Sequence, residues 1–318
     1  MHRIGFFLTE RFQIMALGTQ SVFEFANVVA REQVYQVKNY SVAGGEIRSS
    51  QGVSINTLAA GTGAEADSWL ISGVVDPIAG AATADEAAFI RRASTQARRT
   101  VGLCTGAFFL GQAGLLDGRR ATTHWAYAEA LKARHPLARI EPDRIFIVDG
   151  PIWTSAGLTA AMDLALGMVE KDLGPEIATS VARVLVMDHR RSGGQSQKSE
   201  LLKLAPKSDR IQKALAYARK SLALPLRVDD LAREANLSPR QFSRIFQSET
   251  GKSPAKAIEQ LRVEAARNMI ERGRHPLEVI ARETGFRDRE HLREVFVREL
   301  GVAPQSLRRE ARSELEEA

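Results

Sequence analysis

The run Gly102-Leu103-Cys104-Thr105-Gly106 holds the chain's single cysteine. It follows a strand-like stretch and opens a helix-like one. Gly-x-Cys-x-Gly in that setting describes a nucleophile elbow, a strained turn that presents one side chain at the edge of a sheet. A helix N-terminus behind the turn lowers a thiol's pKa and offers backbone N–H donors. His124, in Thr122-Thr123-His124-Trp125, follows 20 residues later, and Ser72-Gly73 closes another strand that can supply a facing N–H. Such a set supports a thiol hydrolase or amidotransferase, or a ligand pocket without catalysis. The plainer alternative is a small buried hydrophobe and a structural histidine.

A second set suits recognition rather than reaction. Arg240, Gln241, Ser243, Arg244 and Gln247 lie off the apolar face made by Phe242, Ile245 and Phe246. Arg287, Asp288, Arg289, His291 and Arg293 fill the comparable surface about 50 residues later. Residues of these types suit bidentate contacts to base edges and contacts to phosphates.

These residues need rigid carriers, and the C-terminal part repeats itself once to supply them. Leu231-Ala232 before Asn236-Leu237 matches Ile280-Ala281 before Gly285-Phe286. Phe242 and Phe246 match Leu292 and Phe296, Gly251 matches Gly301, and Pro254 matches Pro304. Small Ala232 and Ala281 let a second helix cross closely. Asn236 and Gly285 tolerate the left-handed backbone of a tight turn. Ser238 is a good N-cap and Pro239 suits a first helical position. Each unit is therefore a helix-turn-helix. Pro254–Gly273 between them is apolar at Ile258, Leu261, Ala265, Met269 and Ile270, which predicts a connecting helix about 30 Å long. Successive major-groove faces lie about 34 Å apart, so two readers so spaced fit adjacent grooves. Tri-helical units also serve protein contacts, the alternative reading of a single one.

The first part alternates strand and helix patterns. Strands are expected at His2–Leu8, Val34–Val42, Val53–Thr57, Trp69–Val75 and Val101–Cys104, with a hairpin of Ile145–Val148 and Ile152–Thr154. Helices are expected at Ile14–Ala30, Ala84–Arg99, Thr105–Gly114, Trp125–Arg134, Leu158–Leu173 and Glu176–His189. This alternation predicts an α/β sandwich on a mostly parallel sheet. The polar, Gly/Ser-rich Arg190–Gln197 begins a linker. The expected domains are 1–189, a linker 190–207, and 208–318.

The 318 residues suffice for two domains. The net charge is +6, and from Lys207 onward 23 Lys+Arg face 18 Asp+Glu, so the excess sits beside the repeat. A basic module joined to a neutral one fits a polyanion reader attached to something else. No apolar run reaches the ~18 residues of a membrane span, the N-terminus does not read as a signal peptide, and one cysteine excludes an intrachain disulfide. These favour the cytoplasm and no membrane partner. No cofactor or metal site is expected.

Residues Leu231-Ala232 through Gly251-Lys252-Ser253-Pro254, and Ile280-Ala281 through Leu300-Gly301-Val302-Ala303-Pro304, resemble the AraC/XylS regulator domain over about 208–312. One departure is Glu294, which occupies the slot of Arg244, where that family usually carries a base. Gly102–Gly106, Gly114–Trp125 and Thr154-Ser155-Ala156-Gly157 resemble the PfpI-type, class I glutamine amidotransferase-like domain over about 2–188, in the version fused to AraC readers (GlxA-type regulators). The resemblance implies a flavodoxin-like three-layer sandwich that senses a ligand and dimerises, followed by an all-α double helix-turn-helix domain. Enzymes of the superfamily place a Glu where Ser21 stands, and the PfpI hydrolases place a His where Thr105 stands. Without those partners, thiolate formation loses its main support.

The expectation is a sequence-specific transcription regulator, an activator as in most of the resembling family, working as a homodimer with RNA polymerase as a further candidate partner. Its small-molecule effector is expected against Ser21, Gly73, Cys104, Thr105, His124, Trp125 and Ser155. The face of Trp125 suits an amine, guanidinium or quaternary ammonium compound, unless Trp125 is core. The alternatives are an active cysteine amidase with a DNA-targeting tail and a ligand-independent partner-binding protein. The tail Arg308-Arg309-Glu310-Ala311-Arg312 is a candidate phosphate contact or a solvated helix end.

Overall fold

The computed structural model describes residues 1–61, 63–80, 82–187, 191, 193–194, 197, 204, 206–271 and 275–309. The contacts divide the chain into two compact units, Met1–Gln197 and Lys198–Glu316.

Unit 1 is built on an eight-stranded sheet. In chain order its main elements are β1 (His2–Phe7), α1 (Met15–Ala30), β2 (Tyr35–Ser41), β3 (Gly45–Arg48), β4 (Ser54–Ala59), β5 (Ser68–Ile71), α2 (Ala84–Gln96), β6 (Arg99–Gly102) and α3 (Gly106–Gln112). There follow β7 (Arg120–Ala121), a 3₁₀ turn (Trp125–Tyr127), α4 (Ala128–Arg134), β8 (Arg139–Ile140), β9 (Phe146–Asp149), β10 (Ile152–Ser155), α5 (Leu158–Leu173) and α6 (Pro175–Val184). The strand order is β3-β4-β2-β1-β5-β6-β10-β9, parallel except at its two edge pairs, while β7 and β8 pair apart from it.

The layers follow from side-chain alternation along β1. Ile4, Phe6 and Leu8 join one core with Val22 and Phe23 of α1, Leu164 of α5 and Val181 of α6. Phe7 points the other way and packs with Trp69, Phe89 of α2 and Phe108 of α3. Two apolar faces on one sheet require helices on both sides, which makes three layers. The expected hairpin forms, turning at Asp149-Gly150, and Thr83 with Glu86 makes a capping box at the start of α2. The expected helix Trp125–Arg134 instead begins with the 3₁₀ turn, and three short strands, β3, β7 and β8, went unread because two to four residues show no period.

Unit 2 is helical: α7 (Asp209–Lys220), α8 (Val228–Glu234), α9 (Pro239–Thr250), α10 (Pro254–Glu271), α11 (Leu277–Glu283) and α12 (Arg289–Leu300). The repeat becomes two separate cores. Phe242 and Phe246 centre the first, and Leu292 and Phe296 the second. The connecting helix α10 serves both, giving Ile258 and Leu261 to the first core and Val263, Ala266 and Ile270 to the second. Its 18 residues span about 27 Å; the end expected at Gly273 lies outside the described residues. Asn236 and Gly285 both adopt left-handed backbone, φ 53° and 77°, as their turns demand.

No helix among the described residues is long and apolar enough to cross a membrane.

Candidate nucleic-acid interface and elbow site

In the first helix-turn-helix, α8 and α9 meet through Asn236-Leu237. Ser238 closes the N-terminus of α9. Its hydroxyl accepts from the Gln241 N–H (3.4 Å), and the Gln241 side-chain oxygen accepts from the Ser238 N–H (3.2 Å) and hydroxyl (2.8 Å). This reciprocal cap fixes the helix end and spends the Gln241 oxygen, a capping role the sequence reading gave to Ser238 alone. Arg240, Arg244 and Gln247 stand exposed along α9 and Ser243 is half-buried beside them. Their side chains make no hydrogen bond or ion pair to another described residue. Arg244 lies four residues from Arg240 and three from Gln247, so the three share one helical face.

The second reader presents different electrostatics. Asp288 caps α12, accepting from the His291 N–H at 2.8 Å and from Arg287 Nε at 2.9 Å. Those donors hold its carboxyl below the usual carboxylate range. Asp288 is thus the cap of α12, a role the sequence reading did not give it. His291 accepts from the Arg287 N–H through Nδ1 (3.3 Å) and packs T-shaped with Phe286, the ring centroids 5.6 Å apart. Arg289 pairs with Glu278 at 3.3 Å and Arg293 with Glu290 at 3.1 Å. Glu294 is exposed where the first reader has Arg244. The ion pairs are solvated and contribute little to stability. They still leave the second face nearly neutral while the first carries two unpaired guanidiniums.

In unit 1 the cysteine sits in an elbow in fact as well as in pattern. Cys104 has φ 55°, a left-handed backbone strained for a side-chain-bearing residue, between β6 and α3. Gly73 lies so close to the Thr105 hydroxyl and the Gly106 N–H that a Cβ there would collide with both. The Thr105 hydroxyl donates to the Val74 carbonyl (2.7 Å), the Thr123 hydroxyl to the Cys104 carbonyl (2.9 Å), and the Cys104 N–H to Ser155 Oγ (3.5 Å). Gly73, Cys104, Thr105 and Ser155 therefore form one contiguous group. His124 follows Thr123 and lies against Gly157. Ser21 is half-buried on α1, and among the described residues no hydrogen bond joins it to the elbow. Trp125 is 50% exposed, so it is not the core residue of the alternative reading.

The chemistry of the thiol runs against catalysis. Burial pushes the Cys104 thiol up to about 11, and the Thr105 backbone N–H only partly offsets it. Burial also lowers His124, which favours its neutral form. The Nδ1 of His124 accepts from the Ala126 N–H at 3.3 Å and does not face the sulfur through a hydrogen bond.

Four buried side-chain atoms near this edge of the sheet were missed in the sequence. Thr9 Oγ1, Gln13 Oε1, Thr19 Oγ1 and Ser72 Oγ have no hydrogen-bond partner among the described residues. Thr9, Gln13 and Ser72 belong together, because Phe12 donates to the Thr9 carbonyl and Gln13 to the Gly73 carbonyl. They follow the carboxyl ends of β1 and β5, where open parallel sheets bind ligands, and that rule was the available signal. Orphaned buried oxygens are costly unless something completes them. Neither of the two cavities that stand out in the structure touches Cys104. One lies between β1, β2 and Glu65, the other beside Gly285 and Arg262.

The segment expected to start the linker is also tied to unit 1. Arg191 bonds to Asp163, and Gln197 to Thr122, Thr123, Pro142 and Arg144. The division between units falls after Gln197 rather than after residue 189.

Comparison with known proteins agrees with both halves. The family model described as DJ-1/PfpI family matches residues 20–171, and the one described as helix-turn-helix domain matches residues 231–310. The HTH-type transcriptional regulator GlxA of Rhizobium meliloti (strain 1021) is 28% identical over 316 residues, covering 98% of this chain and 97% of its own. Isonitrile hydratase of Pseudomonas putida is 42% identical over 93 residues, 29% of this chain and 40% of that enzyme. The crystal structure of an AraC family transcriptional regulator from Pseudomonas putida superposes with a TM-score of 0.53 at 27% identity, covering 58% of this chain and all of that one. With a DJ-1/PfpI half, a helix-turn-helix half and a regulator matched over nearly its whole length, the chain belongs to the AraC-type transcriptional regulators that carry a DJ-1/PfpI domain ahead of a paired helix-turn-helix reader.

Proposed function

We propose that the chain is a sequence-specific transcription regulator whose first helix-turn-helix supplies most of the base contacts and whose elbow domain binds a small effector without turning it over. The observation that carries this is the outer face of α9, where Arg240 and Arg244 stand free on a helix whose end is locked by its own capping box. Free guanidiniums on a rigid helix fit guanine edges and phosphates. In the second reader Arg289, Arg293, Arg287 and His291 add phosphate contacts. The two readers, joined by a helix of about 27 Å, match adjacent major-groove faces.

The enzymatic alternative is favoured by one observation, the strained backbone of Cys104. A thiol pushed up to about 11, with Thr105 and Ser21 in place of a His and a Glu, argues for binding instead. The effector seat comprises the elbow group with Ser72 and Thr9. The exposed face of Trp125 suits an amine, guanidinium or quaternary ammonium group. A homodimer acting as an activator in the cytoplasm fits the resembling regulators.

Selection from a random duplex pool followed by fluorescence anisotropy tests the central reading. The unsubstituted chain is expected to enrich a motif with two protected stretches about one helical turn apart. Arg240→Ala and Arg244→Ala should each weaken binding to it about tenfold or more, against a few-fold for Arg289→Ala or Arg293→Ala. Lack of any sequence preference at low salt would overturn it. The Cys104→Ala chain should keep full DNA affinity, and measurable amide or isonitrile turnover lost in that variant would favour the enzyme.

A further inference from the structure

We propose that Arg191, Gly193 and Gln197 form a latch, closed in this structure, through which the state of the elbow reaches the DNA reader. The inference rests on the regulator reading above.

The latch has a firm end and a releasable end. At the firm end Asp163 of α5 is fully buried, and Arg191 meets it with both its backbone N–H (2.9 Å) and Nε (2.7 Å). A buried carboxylate must keep its partners, so this end stays. Gly193 then passes close to Phe146. A Cβ at Gly193 would stand 2.5 Å from the Phe146 carbonyl and 2.8 Å from its ring, so only glycine permits the approach.

The releasable end is the Gln197 carboxamide. Its oxygen accepts from the Trp125 N–H at 2.8 Å. Its nitrogen sits among four oxygens: Thr123 O at 2.7 Å, Pro142 O and Arg144 O at 3.0 Å each, and Thr122 Oγ1 at 3.2 Å. An amide nitrogen has two hydrogens, so the acceptors exceed the donors. The seat therefore selects a donor at that position and repels an oxygen. Lys198, the next residue, begins unit 2.

The wall that holds Gln197 is also the wall of the elbow. Thr123 receives Gln197 through its carbonyl and donates to the Cys104 carbonyl through its hydroxyl. Trp125, whose N–H holds the other side of the carboxamide, is the exposed ring next to His124. A ligand that displaces Thr123 or Trp125 by a fraction of an ångström lengthens the bonds to Gln197. Hydrogen bonds weaken steeply with such shifts, so a small movement at the elbow frees the chain that leads into the reader.

Two substitutions in the full chain open the latch by different means. Gln197→Glu is isosteric and sets a carboxylate oxygen against four acceptors. Gly193→Ala blocks the approach sterically. Gln51→Glu, at an exposed position with no bond to the latch, controls for the added charge. Hydrogen exchange read by mass spectrometry should show the amides of Gly193 and Gln197 exchanging at least tenfold faster in both variants, with Arg191 and the sheet strands unchanged. On the DNA selected by the unsubstituted chain, both should shift the Kd at least threefold in the same direction, and Gln51→Glu should not. Unchanged exchange overturns the latch. Faster exchange with an unchanged Kd reduces it to a structural tie and overturns the regulatory claim. If the unsubstituted chain itself selects no DNA, the regulator reading fails and this inference with it, an outcome distinct from equal binding by parent and variants.

Discussion

At the scale of single residues, Cys104 shows how environment outweighs pattern. A Gly-x-Cys-x-Gly elbow ordinarily activates a thiol, yet this one is buried and its proton is held more tightly, at about 11 against an ordinary 9.0. At pH 8 the thiolate is then on the order of one in a thousand molecules, against about one in ten for an unperturbed cysteine. Alkylation by iodoacetamide, followed by intact mass, should be roughly a hundredfold slower than for a free thiol at that pH and should climb as pH approaches 11. The same shift has a stability consequence of definite sign. The folded pKa lies above the unfolded one, so the contribution is full below about pH 9 and is lost as pH rises through about 11. Cys104→Ala should lack that alkaline loss in denaturant titrations. Rapid alkylation at pH 7 would contradict the buried, protonated state.

At the scale of elements, the recognition helices are defined by their ends. Ser238 with Gln241 and Asp288 with His291 satisfy N–H groups that a helix start leaves unpaired. Ser238→Ala should cost about 1 kcal/mol in chemical denaturation of unit 2, and Asp288→Ala should lower its midpoint in the same direction. Their effects on DNA should differ in kind. Asp288→Ala also removes a negative charge and frees Arg287, so its DNA affinity should hold or rise despite the lost stability. A tenfold drop in affinity at unchanged stability would make Asp288 a DNA contact instead. The capping role of Ser238 was legible because Ser-Pro before an apolar run is a local signal. That of Asp288 was not, since Asp followed by Arg and Glu on a basic surface reads equally well as a polar contact.

At the scale of the whole molecule, unit 2 carries most of the net charge and holds two small cores joined by α10. Neutralising phosphates releases counterions, so log K should fall linearly with log salt. Arg244→Ala should reduce that slope by about 1, whereas Arg289→Ala, whose guanidinium also has Glu278 as a partner, should change it less. The separate cores predict independent damage. Phe246→Ala should cost about 3–5 kcal/mol. Hydrogen exchange should then speed in α8 and α9 before it does in α11 and α12. Equal acceleration in both would show that α10 transmits unfolding from one core to the other.

The sequence by itself determined whatever depends on neighbours within a turn or two. The 3.6-residue period of Phe242 and Phe246, the left-handed turns at Asn236 and Gly285, and the strand-turn-helix around Cys104 are set by local sterics and by which face is apolar. Those signals were enough for both halves of the fold and for the outer face of α9. Tertiary structure alone decided which distant groups meet. Gln197 finds its seat across 53 to 75 residues of chain, Arg191 reaches Asp163 across 28, and the orphaned Thr9 is brought to the end of β5, where Ser72 stands, by strand pairing. A Gly/Ser-rich stretch therefore read as a linker, because its polarity is local while its partners are not. Burial made the same difference to Cys104, since the pKa of a thiol answers to the atoms packed around it and not to the residues beside it in sequence.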